Sequence, residues 1–570
     1  MTVQKMNSSH FMQIQLVDQL FLKKLTFINV NENLIELKNL ESSLSNQFQK
    51  YLLSLGGINN FILSNLEISF CNNIGMLSLV QYQVGKSSIL NSNNLQANKI
   101  IITNSISNIN EPAINLNNQQ SNILQLKVKN LTFSSNIMNI NSQQLFQMNN
   151  SQFINIQLKN YSTTIYSTDS QVIQIFNSQY LNISSQQKST VFLTKSVDQI
   201  AIQNCTFKQN NNIQFDISSS PSFDDHSIIN IQNCINFLVQ DSLFVQNICF
   251  GNGGAIYLSQ IQKSIINNTK FMLNQAQQNS GGAIYASNSY ININKCIFQN
   301  NISKKERGGA IYSDNTYIII SNSNIINNIA YVGGGVYYNK MNTIDVDRAS
   351  QIYGNKGRFY GDNLGSYPRK LLKVDLKTKQ IYSKIVIQNF QSGNYTKQPI
   401  FVQYFDEENK ILNFNIAESP NQLSPSIKQE IQNYQISIAN STEIKDLTII
   451  LGQQLQYIKK INLFQLNITA GNYYKTDFQL VLYSEFFGMK LTLDVFLSFR
   501  KCQIGEILYP KQGYISQSIL RVKQQSCSVL KMSLKQSKVM LFQQDNFVRQ
   551  LLERIKLNGY YLFLRYYRMQ

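Results

Sequence analysis

The sequence predicts an all-β protein, a right-handed parallel β-helix of about 27 residues per coil followed by an antiparallel β-sandwich. Three observations carry that expectation. A double glycine recurs as Gly253-Gly254-Ala255-Ile256-Tyr257, Gly281-Gly282-Ala283-Ile284-Tyr285, Gly308-Gly309-Ala310-Ile311-Tyr312 and Gly333-Gly334-Gly335-Val336-Tyr337. Between the copies, a large apolar residue is followed three positions later by Asn: Phe244/Asn247, Phe271/Asn274, Phe298/Asn301, Ile325/Asn328 and Ile352/Asn355, each 27 residues after the last. Beyond Pro368 the period stops, and short strand-like runs separated by turn residues take over.

Taken in order, residues 1–55 have no clean period and read as an N-terminal cap or partial rung, because an uncovered first rung templates aggregation. Strand-like pieces divided by Asn and Ser turns begin near Gly56, and the β-helix is placed at 56–368. The register is plain from Asn150, with one insertion of ten residues between Cys205 and Ser242 that holds Pro221, Asp224, Asp225 and His226 and reads as a solvated loop.

Aligned coils expose columns of like residues. Asn150, Asn177, Asn204, Asp241, Asn268, Lys295 and Asn322 precede a small column of Ser151, Ser178, Cys205, Ser242, Thr269, Cys296 and Ser323. Two positions later stand Phe153, Tyr180, Phe207, Phe244, Phe271, Phe298, Ile325 and Ile352. Equivalent residues of successive coils lie about 4.8 Å apart in such a fold. Rings then pile on rings, and Asn amides bond along the stack. The double glycines (Gly253/Gly254, Gly281/Gly282, Gly308/Gly309, Gly333/Gly334) suit corners needing positive φ and close approach of the next coil, and the Ile or Val after them faces inward. No unit holds a helix-period run, which excludes an α-solenoid.

The GGAIY and FxxN signatures in coils of this length resemble the repeat of the chlamydial polymorphic outer-membrane proteins and of a family of ciliate surface proteins. The resemblance covers 150–365 well and 56–149 loosely. It implies a pectin-lyase-like β-helix, and an extracellular face on a membrane-attached protein. The run Gly361-Asp362-Asn363-Leu364-Gly365, ending the helix, is similar to the ciliate family, as is the Asn- and Gln-heavy composition without Trp.

Residues 371–500 read as the β-sandwich, from strand-like runs near 384–390, 400–405, 410–416, 434–439, 447–451, 461–469, 478–483 and 491–499. Residues 501–570 form a basic tail. Arg500 to Glu506 resembles the point where ciliate relatives enter a cysteine-rich module and membrane spans, but only Cys527 follows. Asp545 to Gly559 fits a short amphipathic helix.

Composition narrows the function. Of the net charge of +19, residues 500–570 supply +10, from 13 Lys or Arg against 3 Asp or Glu, and no basic stripe marks the repeats, so no nucleic acid is expected as partner. The seven cysteines form no CxxC pair, which leaves no zinc, redox or other cofactor site in view. The first 25 residues, polar at the start and then interrupted by Asp18, Lys23 and Lys24, do not read as a signal peptide, and 480–499, the best apolar stretch, is broken by Glu485, Lys490 and Asp494, so no membrane span is expected. Asn-x-Ser/Thr sequons at Asn130, Asn182, Asn301, Asn394, Asn440 and Asn467 matter only on a secretory route.

Many parallel β-helices cleave polysaccharides, and that chemistry needs two carboxylates astride the bond. Asp224, Asp225 and His226 are the best such cluster, yet neighbours on a strand face opposite ways, and the Gly-His-Gly of the pectin-cleaving hydrolases is absent. Asp345 and Asp347 share one strand face and are candidates for Ca²⁺ or a sugar, although Ca²⁺ takes about six oxygens or more and only Asp362 and Asn363 lie near in sequence. The expected function is therefore a non-enzymatic surface-display, adhesion or interaction module, with carbohydrate or protein at a cell surface as partner. The alternatives are a carbohydrate-active enzyme of the same fold and a degenerate gene product.

Overall fold

The computed structural model describes four short strands before residue 29, and residues 51–499 apart from 57–59, 70–74, 81, 85–87, 91–93, 109–110, 118, 187–188, 213–225, 339–343, 391–395, 397, 407–408, 413–423, 441–450, 459–461, 471–476 and 487–488. By internal contacts the chain divides into two units: Met1–Lys370 with Gln403–Gln435, and Leu371–Val402 with Ile436–Gln570.

The first unit is a parallel β-solenoid made of a 22-stranded and a 19-stranded sheet. Each coil visits three faces in turn. After Gly282 the first face takes Ile284–Ser287, the second Tyr290–Asn294, and the third Ile297–Gln299 with Ile302–Ser303. In three coils a single strand runs from the first face into the second: Phe192–Gln203, Ile229–Gln240 and Ile256–Asn267. Strands Met12–Gln15, Gln19–Leu22 and Leu25–Ile28 already pair in parallel with Tyr51–Gly56, Asn60–Leu63 and Leu66–Ser69, so the ladders begin ahead of residue 56. A hairpin, Tyr82–Val84 with Ser88–Leu90, leaves the coil, an antiparallel excursion that the repeat pattern does not announce.

Alternation builds each face. On the second face Ile291, Ile293, Ile318 and Ile320 are buried, while the residues between them point outward. The large-residue column is in register on the third face: Phe244, Phe271, Phe298, Ile325 and Ile352 are successive Cα partners. Their rings superpose as well. Centroids from Phe153 through Tyr180, Phe207, Phe244 and Phe271 to Phe298 are 5.0, 4.9, 4.6, 4.8 and 4.7 Å apart, with planes within 9° of parallel. Tyr180 is the one tyrosine of that run, and its buried hydroxyl has no hydrogen-bond partner. Burying an unpaired hydroxyl costs about 1–3 kcal/mol. Tyr180→Phe is therefore expected to raise the thermal midpoint of the β-helix, and an unchanged or lower midpoint in differential scanning calorimetry contradicts the assignment.

The corners are chemical choices. Between the second and third faces, Asn150, Asn177, Asn204, Asp241, Asn268, Lys295 and Asn322 all adopt φ between 45° and 54°. Asn and Asp visit this left-handed region at low cost because a short polar side chain bonds locally. One residue on, the small column caps the turn. The hydroxyls of Ser178, Ser242, Thr269, Ser323 and Ser350 accept from the backbone N–H of the preceding coil's equivalent at 3.0–3.4 Å, wherever that pair is joined. At the other corner Gly253, Gly281, Gly308 and Gly333 have φ of +65° to +78°. A Cβ on Gly254, Gly282 or Gly309 would lie 2.0 Å from the next coil's carbonyl oxygen, which leaves room for no other residue.

The second unit holds two small sheets. The five-stranded sheet runs Ile381–Tyr382, Lys370–Val374, Ile400–Phe405, Leu463–Ala470, Leu451–Ile458, and its described registers are antiparallel. The four-stranded sheet, Lys384–Phe390, Met489–Phe499, Asp477–Phe486, Ser437–Asn440, is mixed rather than antiparallel, because Lys384–Phe390 lies parallel to Met489–Phe499. A parallel pair needs a long crossover, and these two strands are far enough apart in the chain to supply one. Residues 501–570, with the helix expected at 545–559, lie outside the described residues.

Among its described residues the first unit also contains one helix, Pro425–Asn433. Its signal is short but physical: Ser424 caps it by accepting from the Ile427 N–H, and Pro425 sits in the first turn, where a missing N–H costs nothing.

Candidate functional site

Asp224 and Asp225 lie outside the described residues. His226, expected on a solvated loop, is buried at 1% exposure, with Nδ1 3.2 Å from Asn212 Oδ1 and its carbonyl accepting from the Cys249 thiol. The chain is already back inside the coil at this residue. Asp345 is exposed on the second face. Asp347 is a turn cap: Oδ1 accepts from the Ser350 N–H at 2.8 Å and hydroxyl at 2.6 Å, and Oδ2 from the Asn322 N–H at 3.0 Å. Those donors, the Ser350 hydroxyl foremost, hold its carboxyl below the usual range and occupy both oxygens. Asp362 is likewise engaged, by the Gly357 N–H and Lys410, and Asn363 by Asn355.

The FxxN asparagines form a buried amide ladder. Asn247, Asn274, Asn301 and Asn328 each donate from Nδ2 to the next Asn Oδ1 at 2.9–3.0 Å and to a main-chain carbonyl of the coil before at 2.9–3.0 Å. Each Oδ1 also accepts the preceding asparagine's backbone N–H, as Asn301 does from Asn274 at 3.0 Å. Asn210 begins the run and Asn355 passes it to Asn363. These amides have no capacity left for a ligand.

The densest chemistry in the first unit lies where no motif pointed. Arg307, just ahead of Gly308, donates from Nη1 to Glu306 Oε2 at 2.5 Å and to the Ser426 hydroxyl at 2.7 Å, and from Nη2 to Glu430 Oε2. Glu306 Oε1 accepts from the Ser424 and Ser426 hydroxyls, and Glu430 Oε1 from Tyr360 and Tyr434. The Tyr337 ring lies 5.6 Å from the guanidinium, near enough for a cation–π contact. Burial alone would lower the Arg307 pKa, but the Glu430 and Glu306 carboxylates hold it well above the ordinary value. The Tyr337, Tyr360 and Tyr434 hydroxyls are pushed far up, first by burial.

Two buried carboxylates invite a glycosidase reading, but the geometry argues otherwise. Glu306 and Glu430 are 6% and 1% exposed, and each of their four oxygens already accepts from a protein donor. A general acid or nucleophile must reach its substrate. What this arrangement can do is fasten the Pro425–Asn433 helix to the coil that carries Arg307. Sequence reading passed it over, although an Arg standing where Asn252, Ser280 and Val332 occupy the equivalent place in neighbouring coils was a detectable oddity.

No family model, curated protein or solved structure matches this chain.

Among the described residues no group of three His, Cys, Asp or Glu is placed to hold a metal ion, and no helix is long and apolar enough to cross a membrane. The described cysteines, Cys205, Cys234, Cys249 and Cys296, are free and buried. Burial pushes the Cys205 thiol up to about 11 and those of Cys234 and Cys296 to about 12, and it raises Cys249 as well. A thiol of raised pKa contributes stability in full below its unfolded value of about 8.5 and loses it as pH climbs through the folded value. Alkylation by iodoacetamide near pH 8.5 is thus expected to spare these four in the native protein and to label them in denaturant. Native labelling at Cys205 or Cys296, read by peptide mass spectrometry, contradicts their burial.

Proposed function

We propose that this chain is a non-enzymatic binding scaffold, a display or adhesion module whose β-helix offers fixed rows of side chains to a carbohydrate or protein partner at the outer face of a cell. The observation that carries the reading is that the stacking of like residues continues from the core onto the surface. Gln147 donates to Gln174 at 2.6 Å and Gln152 to Gln179 at 3.4 Å, Asn315 donates to Asn288 at 2.7 Å, and the Tyr290 and Tyr317 rings stack at 5.4 Å. Rows of identical polar groups one coil apart form a rigid, repeating surface that loses little entropy on binding. The polar groups within the coils serve the coils themselves. The GGAIY and FxxN resemblance to polymorphic outer-membrane and ciliate surface proteins supports an extracellular setting.

The test has two arms. Antibody against the β-helix should label intact, unpermeabilised cells, and purified protein should hold a ligand from a polysaccharide panel or a surface extract without turning it over. Polysaccharide cleavage that is lost in Asp224→Asn or Asp225→Asn would sink the scaffold reading in favour of an enzyme.

A further inference from the structure

We infer that the β-helix carries N-linked glycans on Asn130, Asn182 and Asn204, and that the sequon at Asn301 is closed to them. The assignment rests on the extracellular reading above and adds a covalent modification, its sites and one exclusion. The group transferred is an oligosaccharide from a lipid diphosphate donor of the secretory route. The amide Nδ2 bonds to C1 of the first sugar, the C1–O bond to the diphosphate breaks, the lipid diphosphate leaves, and one Nδ2 hydrogen is lost as a proton. The linked amide keeps its oxygen and its other hydrogen.

Strand parity sorts the sequons. In Asn130-Leu131-Thr132, Asn182-Ile183-Ser184 and Asn204-Cys205-Thr206 the middle residue is buried in the coil, while each asparagine is exposed and each hydroxyl residue partly so. Both groups that define the acceptor therefore stand on the outer surface. Asn301-Ile302-Ser303 has the opposite parity: Asn301 and Ser303 are buried, at 0% and 1% exposure, and Ile302 is the outward residue.

Counting amide hydrogens gives the same division. Asn182 donates one Nδ2 hydrogen to Asn155 at 2.9 Å, Asn130 one to Asn104 at 3.0 Å, and Asn204 one to Asn177 at 2.6 Å. Among the described residues nothing takes the second hydrogen, so a sugar can replace it while the bond along the row survives. Asn301 has both committed, to Asn328 Oδ1 and to the Phe271 carbonyl, each at 2.9 Å. A sugar there would remove a ladder bond and fill the close-packed interior, so a chain modified at Asn301 cannot close that coil.

Spacing allows two glycans in one row. Asn104, Asn130, Asn155 and Asn182 form an exposed column with φ of 50° to 54°. Only the second and fourth have Ser or Thr two positions on. Two coil steps of about 4.8 Å separate Asn130 from Asn182, roughly 10 Å, which gives each sugar its own footing.

The experiment captures the full chain from its own cells with antibody against the β-helix and maps it by glycopeptide mass spectrometry. Glycan on Asn130, Asn182 and Asn204, with the Asn301 peptide bare, is the expected result. Thr132→Ala, which leaves the asparagine row untouched, should abolish the glycan at Asn130 alone. Continued occupancy of Asn182 in that variant shows that it still folds and reaches the transferase. Protein found by antibody on intact cells, yet bare at Asn130, Asn182 and Asn204, overturns the modification and leaves the scaffold reading standing. Glycan on Asn301 in folded, protease-resistant protein overturns the parity argument. Absence of both surface label and glycan removes the extracellular reading together with this one.

Discussion

Arg307→Met is expected to destabilise the β-helix locally by about 3–5 kcal/mol, the usual cost of leaving buried charges without their partner. Two carboxylates, Glu306 and Glu430, would then face each other's charge with hydroxyl donors alone. The loss should concentrate in Pro425–Asn433, since Glu430 lies on that helix and Ser424 is its cap. Hydrogen exchange of the helix amides is the direct measurement, with global melting as the secondary one. A triple replacement, Arg307→Met with Glu306→Gln and Glu430→Gln, should recover part of the loss, because a buried ionic cluster exchanged for neutral groups often costs little. Helix amides protected as before in Arg307→Met would show that apolar packing, and not the ionic cluster, secures the helix.

The asparagine ladder should be at least as sensitive. Asn301→Ala removes the acceptor for the Asn274 N–H and Nδ2 and the donor to the Phe271 carbonyl, all buried. Each orphaned group costs about 1–3 kcal/mol, so with three of them a loss of about 3 kcal/mol or more is expected. An exposed asparagine provides the contrast. Asn155 sits at φ 54° in an outer row, donating to Asn130 and accepting from Asn182, with solvent ready to replace both. Asn155→Gly keeps the left-handed backbone available and should cost only a few tenths of a kcal/mol. Equal melting temperatures for the two variants would mean that the inner ladder fills space without binding the coils together.

These expectations differ in how far the sequence foretold them. The 27-residue register, the ring column from Phe153 to Phe298 and the inward Ile256, Ile284 and Ile311 were all legible, because each repeats a local choice at fixed spacing. The parallel pairing of Lys384–Phe390 with Met489–Phe499 was not. A strand's own residues set which face is apolar, not which distant strand lies beside it or in which direction. The helix at Pro425–Asn433 was hidden in a stretch read for strands, although Ser424-Pro425 is a capping pair. His226 seemed a loop residue for want of any sign that the insertion ends before it.

What the amino-acid sequence by itself determined is the solenoid: identical side chains one period apart have to meet, since a parallel ladder brings residue on equivalent residue, and that needs no knowledge of anything distant. Only the tertiary structure decided that Arg307 meets Glu430, 123 positions along, and that Asp347 caps a turn. Each of these depends on single contacts between segments that share no period, and such contacts are set by how the whole chain packs, not by any residue's near neighbours.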